Sequence, residues 1–62
     1  MQFIDFQLLD GSWMDFNIIQ IAAISKDEGG GSLLYTNGTY FRLKSSIDTV
    51  KTELKQVGVR IP

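Results

Sequence analysis

The 62-residue sequence contains no cysteine and no histidine, and its single proline is Pro62. A chain without these two residues holds no disulfide framework and no Cys/His metal site. Catalysis by a Ser-His-Asp triad or a Cys-His pair is excluded as well, because both need the missing side chains. We therefore predict that the protein is not an enzyme, with no catalytic residues, no metal ligands and no cofactor.

Long hydrophobic runs are also missing. The longest apolar stretch, residues 18–24, is interrupted by Gln20 and is far shorter than the roughly 20 residues that cross a membrane. The first residues lack the basic region that opens a signal peptide. We expect no targeting segment and no membrane insertion, and we take a cytoplasmic location as the default.

What the chain does have is apolar content, which reaches 44% and is typical of a folded domain. A chain of this length buries only about 60% of its unfolded surface, so its core barely offsets the lost conformational entropy. We expect one small domain over residues 1–62 that gains support from self-association, with a homodimer as the favoured form.

The first half of the chain indicates two paired strands. Residues 3–9 alternate between apolar and polar side chains, which predicts a half-buried strand. Asp10-Gly11 is a hairpin signal, and residues 12–16 form the return strand. A strict two-residue turn would point Asp15 into the core, so we expect a longer turn or a bulge after Gly11.

A third strand is predicted over residues 21–26, although Ile18, Ile21 and Ile24 also fit a helical spacing. Asn17 precedes them and favours a helical turn or a kink. The glycine-rich loop that follows predicts a hairpin connection. A phosphate-binding loop is disfavoured, because the Lys-Ser/Thr pair and a strong following helix are absent.

Asn37-Gly38 gives the clearest local signal, since this pair favours a type I′ turn between two strands. We predict these strands over residues 32–36 and 39–44. The register places Tyr35 opposite Tyr40. It also assigns three side chains to the core: Leu34, Phe41 and Leu43.

A C-terminal helix is predicted over residues 46–57. Ser45 with Asp48 fits a capping box, and Gly58 suits the position after the last turn. The helix has one apolar stripe, formed by Ile47, Val50, Leu54 and Val57. The predicted fold class is α+β: an antiparallel meander of about five short strands, with the alternative of a sheet curled toward a small barrel, and one helix packed on it.

The charges divide unevenly along the chain. Residues 1–31 carry five acidic and one basic side chain, whereas residues 32–62 carry five basic and two acidic ones. Such asymmetry guides self-association of an acidic half with a basic half. The sequence pI of about 5.0 counts against general nucleic-acid binding.

One helix covers only one face of a sheet, so several large side chains are left over on the other. Aromatic residues and arginine are the usual anchors of protein interfaces. Enclosure in a barrel, or the stacking of nucleotide bases beside Arg42 and Lys44, are the alternatives. The candidate interface consists of Trp13, Leu33, Tyr35, Tyr40 and Arg42.

Four short strings form a pattern along the chain: Leu9-Asp10-Gly11, Phe16-Asn17 before an isoleucine-rich stretch, residues 34–46 (LYTNGTYFRLKSS), and Val50. The pattern resembles the small FlbD-type flagellar (swarming motility) proteins, which carry an early Leu-Asn-Gly turn and a Thr-Asn-Gly hairpin. Small phage proteins show the same outline. The resemblance covers most of residues 3–57 and implies the fold and a protein-binding, non-enzymatic role.

These observations favour a small protein–protein interaction module, a bacterial or phage-encoded regulatory or adaptor protein that self-associates. A nucleic-acid-binding module that uses the aromatic sheet face is the first alternative. A phage counter-defence protein that sequesters a small ligand between its copies is the second.

Overall fold

The computed structural model describes residues 2–60. It contains five antiparallel strands in two sheets and one helix at the C-terminal end, so the α+β class is confirmed. A single 3₁₀ turn, Ile18–Gln20, separates the second strand from the third. The elements are β1 (Phe3–Gln7), β2 (Trp13–Asn17), β3 (Ile21–Lys26), β4 (Ser32–Thr36), β5 (Thr39–Leu43) and α1 (Ile47–Gln56).

The β1–β2 hairpin has the longer turn that the sequence required. The Leu8 N–H donates to the Ser12 carbonyl at 2.7 Å, and the Gly11 N–H donates to the Leu8 carbonyl at 2.9 Å. Gly11 has φ +94°, a conformation that costs glycine little. The three-residue loop ends β1 two residues before the predicted position and starts β2 one residue later, so Phe16 points into the core and Asp15 does not.

The β3–β4 hairpin uses the same kind of turn. The Asp27 N–H donates to the Gly31 carbonyl, and the Gly30 N–H to the Asp27 carbonyl, both at 3.1 Å. Gly30 has φ +93°. Gly31 is needed for another reason: it is buried, and a Cβ there would collide with the carbonyl oxygen of Leu43. This glycine run is therefore a specific structural turn.

The β4–β5 hairpin turns at Asn37-Gly38, with φ values of +36° and +80° as a type I′ turn requires. Tyr35 lies opposite Tyr40, and their ring centroids are 5.9 Å apart at an interplanar angle of 44°. The predicted register is present, and β5 ends at Leu43, one residue before the predicted end.

The strands do not form one continuous meander, and the sheets are not closed into a barrel; both of these sequence expectations are wrong. The order is β1-β2 in one sheet and β3-β4-β5 in the other. The Asn17 side chain accepts a hydrogen bond from the Ile19 N–H at 3.2 Å. This contact caps the 3₁₀ turn. The turn lies between β2 and β3, which belong to different sheets.

A single β-bridge, Leu8 opposite Leu43, joins the two sheets. Its hydrogen bonds run from the Leu9 N–H to the Arg42 carbonyl and from the Lys44 N–H to the Gln7 carbonyl, both at 2.9 Å. The C-terminal end of β1 therefore lies beside the C-terminal end of β5.

Helix α1 begins after Ser46, not after Ser45 as the predicted capping box required. The Ser46 hydroxyl accepts from the Thr49 N–H at 3.3 Å. Ser45 is occupied differently, because its carbonyl accepts a hydrogen bond from the buried Ser32 hydroxyl at 2.9 Å. The capping site moves one residue along, and the helix spans ten residues, one fewer than predicted at each end.

The helix ends as its glycine indicated. Gly58 has φ +92°. Its N–H donates to the Lys55 carbonyl, and the Val59 N–H donates to the Leu54 carbonyl, both at 3.0 Å. These two bonds form a Schellman motif, which returns Val59 to the side of the core.

The core lies between the inner faces of the two sheets and α1. Phe16 is central, since its ring centroid is 6.2 Å from that of Phe6 and 5.3 Å from that of Phe41. The Phe16–Phe41 contact crosses between the sheets and is edge-on, at 70°. The buried hydrophobic residues are Phe6, Phe16, Leu34, Leu43, Val50 and Leu54.

The close approach of the Leu43 carbonyl predicts that Gly31→Ala lowers the free energy of unfolding by about 1–3 kcal/mol, the usual cost of overpacking. Gly29→Ala is the matched control, because a Cβ at Gly29 meets nothing within 4 Å. Urea unfolding followed by circular dichroism measures both. Equal stability of the two variants would contradict the structural role of Gly31.

The helix cap makes a second prediction. Ser46→Ala should lower the free energy of unfolding by about 1 kcal/mol, because the Thr49 N–H loses its acceptor. Ser45→Ala should change it by less than about 0.5 kcal/mol, since the contact at this residue is made by its carbonyl. Urea titrations of both variants test the assignment, and a larger effect at Ser45 would place the cap one residue earlier.

Candidate interaction surface

Four of the five predicted interface residues share one face of the three-stranded sheet. Leu33 lies opposite Arg42 and Tyr35 opposite Tyr40, and opposed residues in an antiparallel pair point to the same side. This side is opposite the one that carries the buried Leu34 and therefore faces away from the core.

The fifth predicted residue, Trp13, lies in the other sheet. It is opposite Gln7, whose carbonyl accepts the hydrogen bond from the Lys44 N–H. Trp13 of β2, Gln7 of β1 and Lys44, which directly follows β5, are thus in register. Two strand spacings put the Trp13 backbone about 10 Å from that of Lys44.

The outward faces of the two sheets are therefore adjacent, and we call them together the outer surface. Its β1–β2 part is acidic and aromatic, and its β4–β5 part is aromatic and basic. The outer surface comprises Phe3, Asp5, Gln7, Trp13 and Asp15 from the first sheet with Leu33, Tyr35, Tyr40, Arg42 and Lys44 from the second and its end.

Large apolar side chains are unusually open on this surface. Trp13 is 65% exposed, Tyr40 56% and Phe3 53%, whereas Leu33 and Tyr35 are half-buried. The Tyr35 hydroxyl is hydrogen-bonded to the Ser25 hydroxyl at 3.4 Å. This hydrogen bond holds the Tyr35 side chain in place, and the more exposed Tyr40 ring packs against it.

Three exposed hydrophobic residues were not predicted from the sequence. Ile19 is 83% exposed, Leu9 47% and Met14 36%. The signal for Ile19 was present, because Asn17 predicted a helical turn at this point and a short turn has no sheet to cover its side chains. Leu9 belongs to the three-residue loop, which ended β1 earlier than the alternation suggested.

Arg42 forms an ion pair with another residue of the same chain, which was not predicted from the sequence. Its Nε donates to the Asp27 Oδ2 at 2.9 Å. This hydrogen bond and the adjacent positive charge hold the pKa of Asp27 below its ordinary value, and the carboxylate raises the pKa of Arg42. Because the Arg42 side chain remains 52% exposed, part of its guanidinium stays open to a partner.

Asp5 and Asp15 lie directly opposite each other on the outer surface, and both are exposed. Both side chains point outward on adjacent strands. Opposed like charges are unfavourable for pairing. A positive group placed over these two carboxylates would relieve the repulsion.

Asp10 belongs to the turn and not to the surface. Its Oδ1 accepts hydrogen bonds from the Ser12 hydroxyl at 2.6 Å and from the Ser12 N–H at 2.9 Å. The Ser12 hydroxyl is the main cause of the lowered pKa of this carboxyl. The contacts agree with the role in turn formation expected from the sequence.

Within residues 2–60, no helix is both long enough and apolar enough to cross a membrane. Comparisons of the chain with protein-family models, curated protein sequences and solved structures found no match.

The Arg42–Asp27 pair predicts a specific acid titration. Asp27 should titrate below 3.8, so its contribution to stability is present above that pH and lost as the pH falls through the lowered pKa. Arg42→Gln should raise the Asp27 midpoint toward its ordinary value. The Asp10 midpoint should stay low, because Ser12 is unchanged. Carboxyl NMR titration of both proteins measures these midpoints, and an unshifted Asp27 would show that Arg42 is not its partner in solution.

Proposed function

We propose that the protein is a non-enzymatic protein–protein interaction module that self-associates through the outer surface. The observation that carries this proposal is the exposure of Phe3, Trp13 and Tyr40, each more than half open in a chain of 62 residues. Exposed apolar groups gathered on one side of a protein are typical of a contact surface. Tyrosine and tryptophan in particular are frequent interface hot spots.

The charges of the outer surface support a second copy as the partner. The acidic pair Asp5 and Asp15 lies on β1 and β2, and Arg42 and Lys44 lie on β5 and directly after it. In a two-fold dimer, each contact is made twice with the roles exchanged. The acidic part of one copy would cover the basic part of the other, and the reverse.

The size of the molecule is compatible with such a dimer. A stable interface buries about 800 Å² on each partner. This is roughly a fifth of the total accessible area of 4275 Å², and the outer surface spans strands of both sheets. Burial of this area would add the apolar contacts that a six-residue core lacks.

We further propose that the module is a bacterial or phage-encoded regulatory or adaptor protein. The support is the resemblance to FlbD-type flagellar proteins and to small phage proteins in residues 3–57. Flagellar or phage early genes beside its own gene would support one or the other origin.

A second candidate function is the binding of single-stranded nucleic acid. The adjacent rings of Tyr35 and Tyr40 with Arg42 beside them favour base stacking. The ion pair between Arg42 and Asp27 and the acidic pair on the same surface oppose it. Filter binding at low salt, where electrostatic affinity is greatest, tests it; a lack of measurable affinity removes this candidate.

Analytical ultracentrifugation tests self-association directly. We expect the wild-type chain to form a dimer, and we expect Trp13→Ala and Tyr35→Ala each to raise the dissociation constant at least about tenfold, the loss of about 1.4 kcal/mol. Higher salt should also weaken the dimer, since its charges are at the surface.

Gln56→Ala, on the exposed side of α1, is the matched control and should leave the dissociation constant unchanged. Circular dichroism confirms that each variant is folded. A wild-type chain that stays monomeric at millimolar concentration, or folded variants that dimerise as the wild type does, would refute the proposal.

A further inference from the structure

A groove of about 240 Å³ runs along the edge of β3 and continues beneath the end of α1. It is lined by residues 21–24 of β3, by Leu54, and by Val59 and Arg60 after the helix. It shares no residue with the outer surface. We propose that this groove binds an extended partner peptide that ends in a free carboxylate.

The edge of β3 offers backbone hydrogen bonds to such a peptide. Within the described residues, β3 pairs with β4 alone. The bond from the Asp27 N–H to the Gly31 carbonyl sets the alternation along this ladder. Lys26 and Ile24 therefore occupy the non-hydrogen-bonded positions, and their N–H and C=O groups point away from β4.

The outward N–H and C=O groups of Ile24 and Lys26 lie about 7 Å apart along β3. An added strand presents its own hydrogen-bonding groups at the same spacing. Ile24 belongs both to this edge and to the lining of the groove. An added strand would thus pair with β3 while every second side chain enters the groove, the usual mode of peptide binding by strand addition.

The lining favours apolar side chains of moderate size. The register of β3 shifts between Ile21 and Ala23, which leaves Ala22 as the extra residue of a β-bulge. Ala22 and Ala23 are exposed, and these two small residues line the groove together with Leu54 and Val59. A valine or isoleucine of the peptide fits this chemistry.

Arg60 supplies the charge that specifies a carboxylate. Among the described residues that line the groove, it is the single charged one, and it is exposed. Its guanidinium matches the geometry of a carboxylate, which it holds through paired hydrogen bonds. A second copy of β3 is a poorer occupant, because it would bring a second Lys26 to the same pair of strands, where two like charges repel each other.

NMR titration of the full isotope-labelled chain tests the proposal. The probes are the acetylated peptide Thr-Val-Thr-Val with a free carboxylate and the same peptide with a C-terminal amide. We expect saturable shifts and slower hydrogen exchange at the N–H groups of Ile24 and Lys26. The carboxylate should bind about fivefold more tightly than the amide, the effect of one exposed charge pair.

Arg60→Gln should bring the affinities of the two peptides to the same value. Lys26→Pro, which removes an N–H from the edge without touching the ladder to β4, should weaken both. Thr52→Ala, on the exposed side of α1, is the control and should bind as the wild type does. Trp13→Ala should also bind normally, which separates this site from the outer surface.

Three results would overturn the proposal. The first is the absence of saturable shifts in β3 up to millimolar carboxylate peptide. The second is a carboxylate preference that persists unchanged in Arg60→Gln. The third is protection of the Ile24 and Lys26 N–H groups that grows with protein concentration alone, which would make a second copy the occupant.

Discussion

The β-bridge between Leu8 and Leu43 is the contact on which the rest of the structure depends. Its two hydrogen bonds place the β1–β2 hairpin against the end of β5, so that Phe6 and Phe16 of one sheet meet Leu34 and Leu43 of the other. The same bridge aligns the outward faces of the two sheets. One backbone contact thus assembles the core and also brings the acidic hairpin beside the basic end of β5.

The fold covers only one side of its sheets. The single helix contacts β3 and β4 on the inner side, and no second layer covers the other side of the sheets within the described residues. Aromatic side chains that would be interior in a larger domain therefore remain open to solvent. This explains why the proposed interaction surface is aromatic and why a chain of this size gains from a partner.

Local signals predicted most of the elements, and long-range contacts explain what was missed. The Asn37-Gly38 turn fixed the register of β4 and β5, and with it the common face of Leu33, Tyr35, Tyr40 and Arg42. The way in which the two sheets meet depends on a bridge between residues far apart in the chain, which no local pattern encodes. The ion pair of Arg42 with Asp27 was missed for the same reason, because it depends on how the β3–β4 loop sits beside β5.

Trp13 provides the most direct test of the outer surface, because it is the only tryptophan and is 65% exposed in the single chain. If copies associate through this surface, the emission of Trp13 should shift to shorter wavelength as the protein concentration rises. Quenching by iodide should fall over the same range, and both midpoints should agree with the dissociation constant from sedimentation. If sedimentation reports a dimer while Trp13 keeps the emission and the iodide quenching of an exposed tryptophan, the role of the outer surface is contradicted.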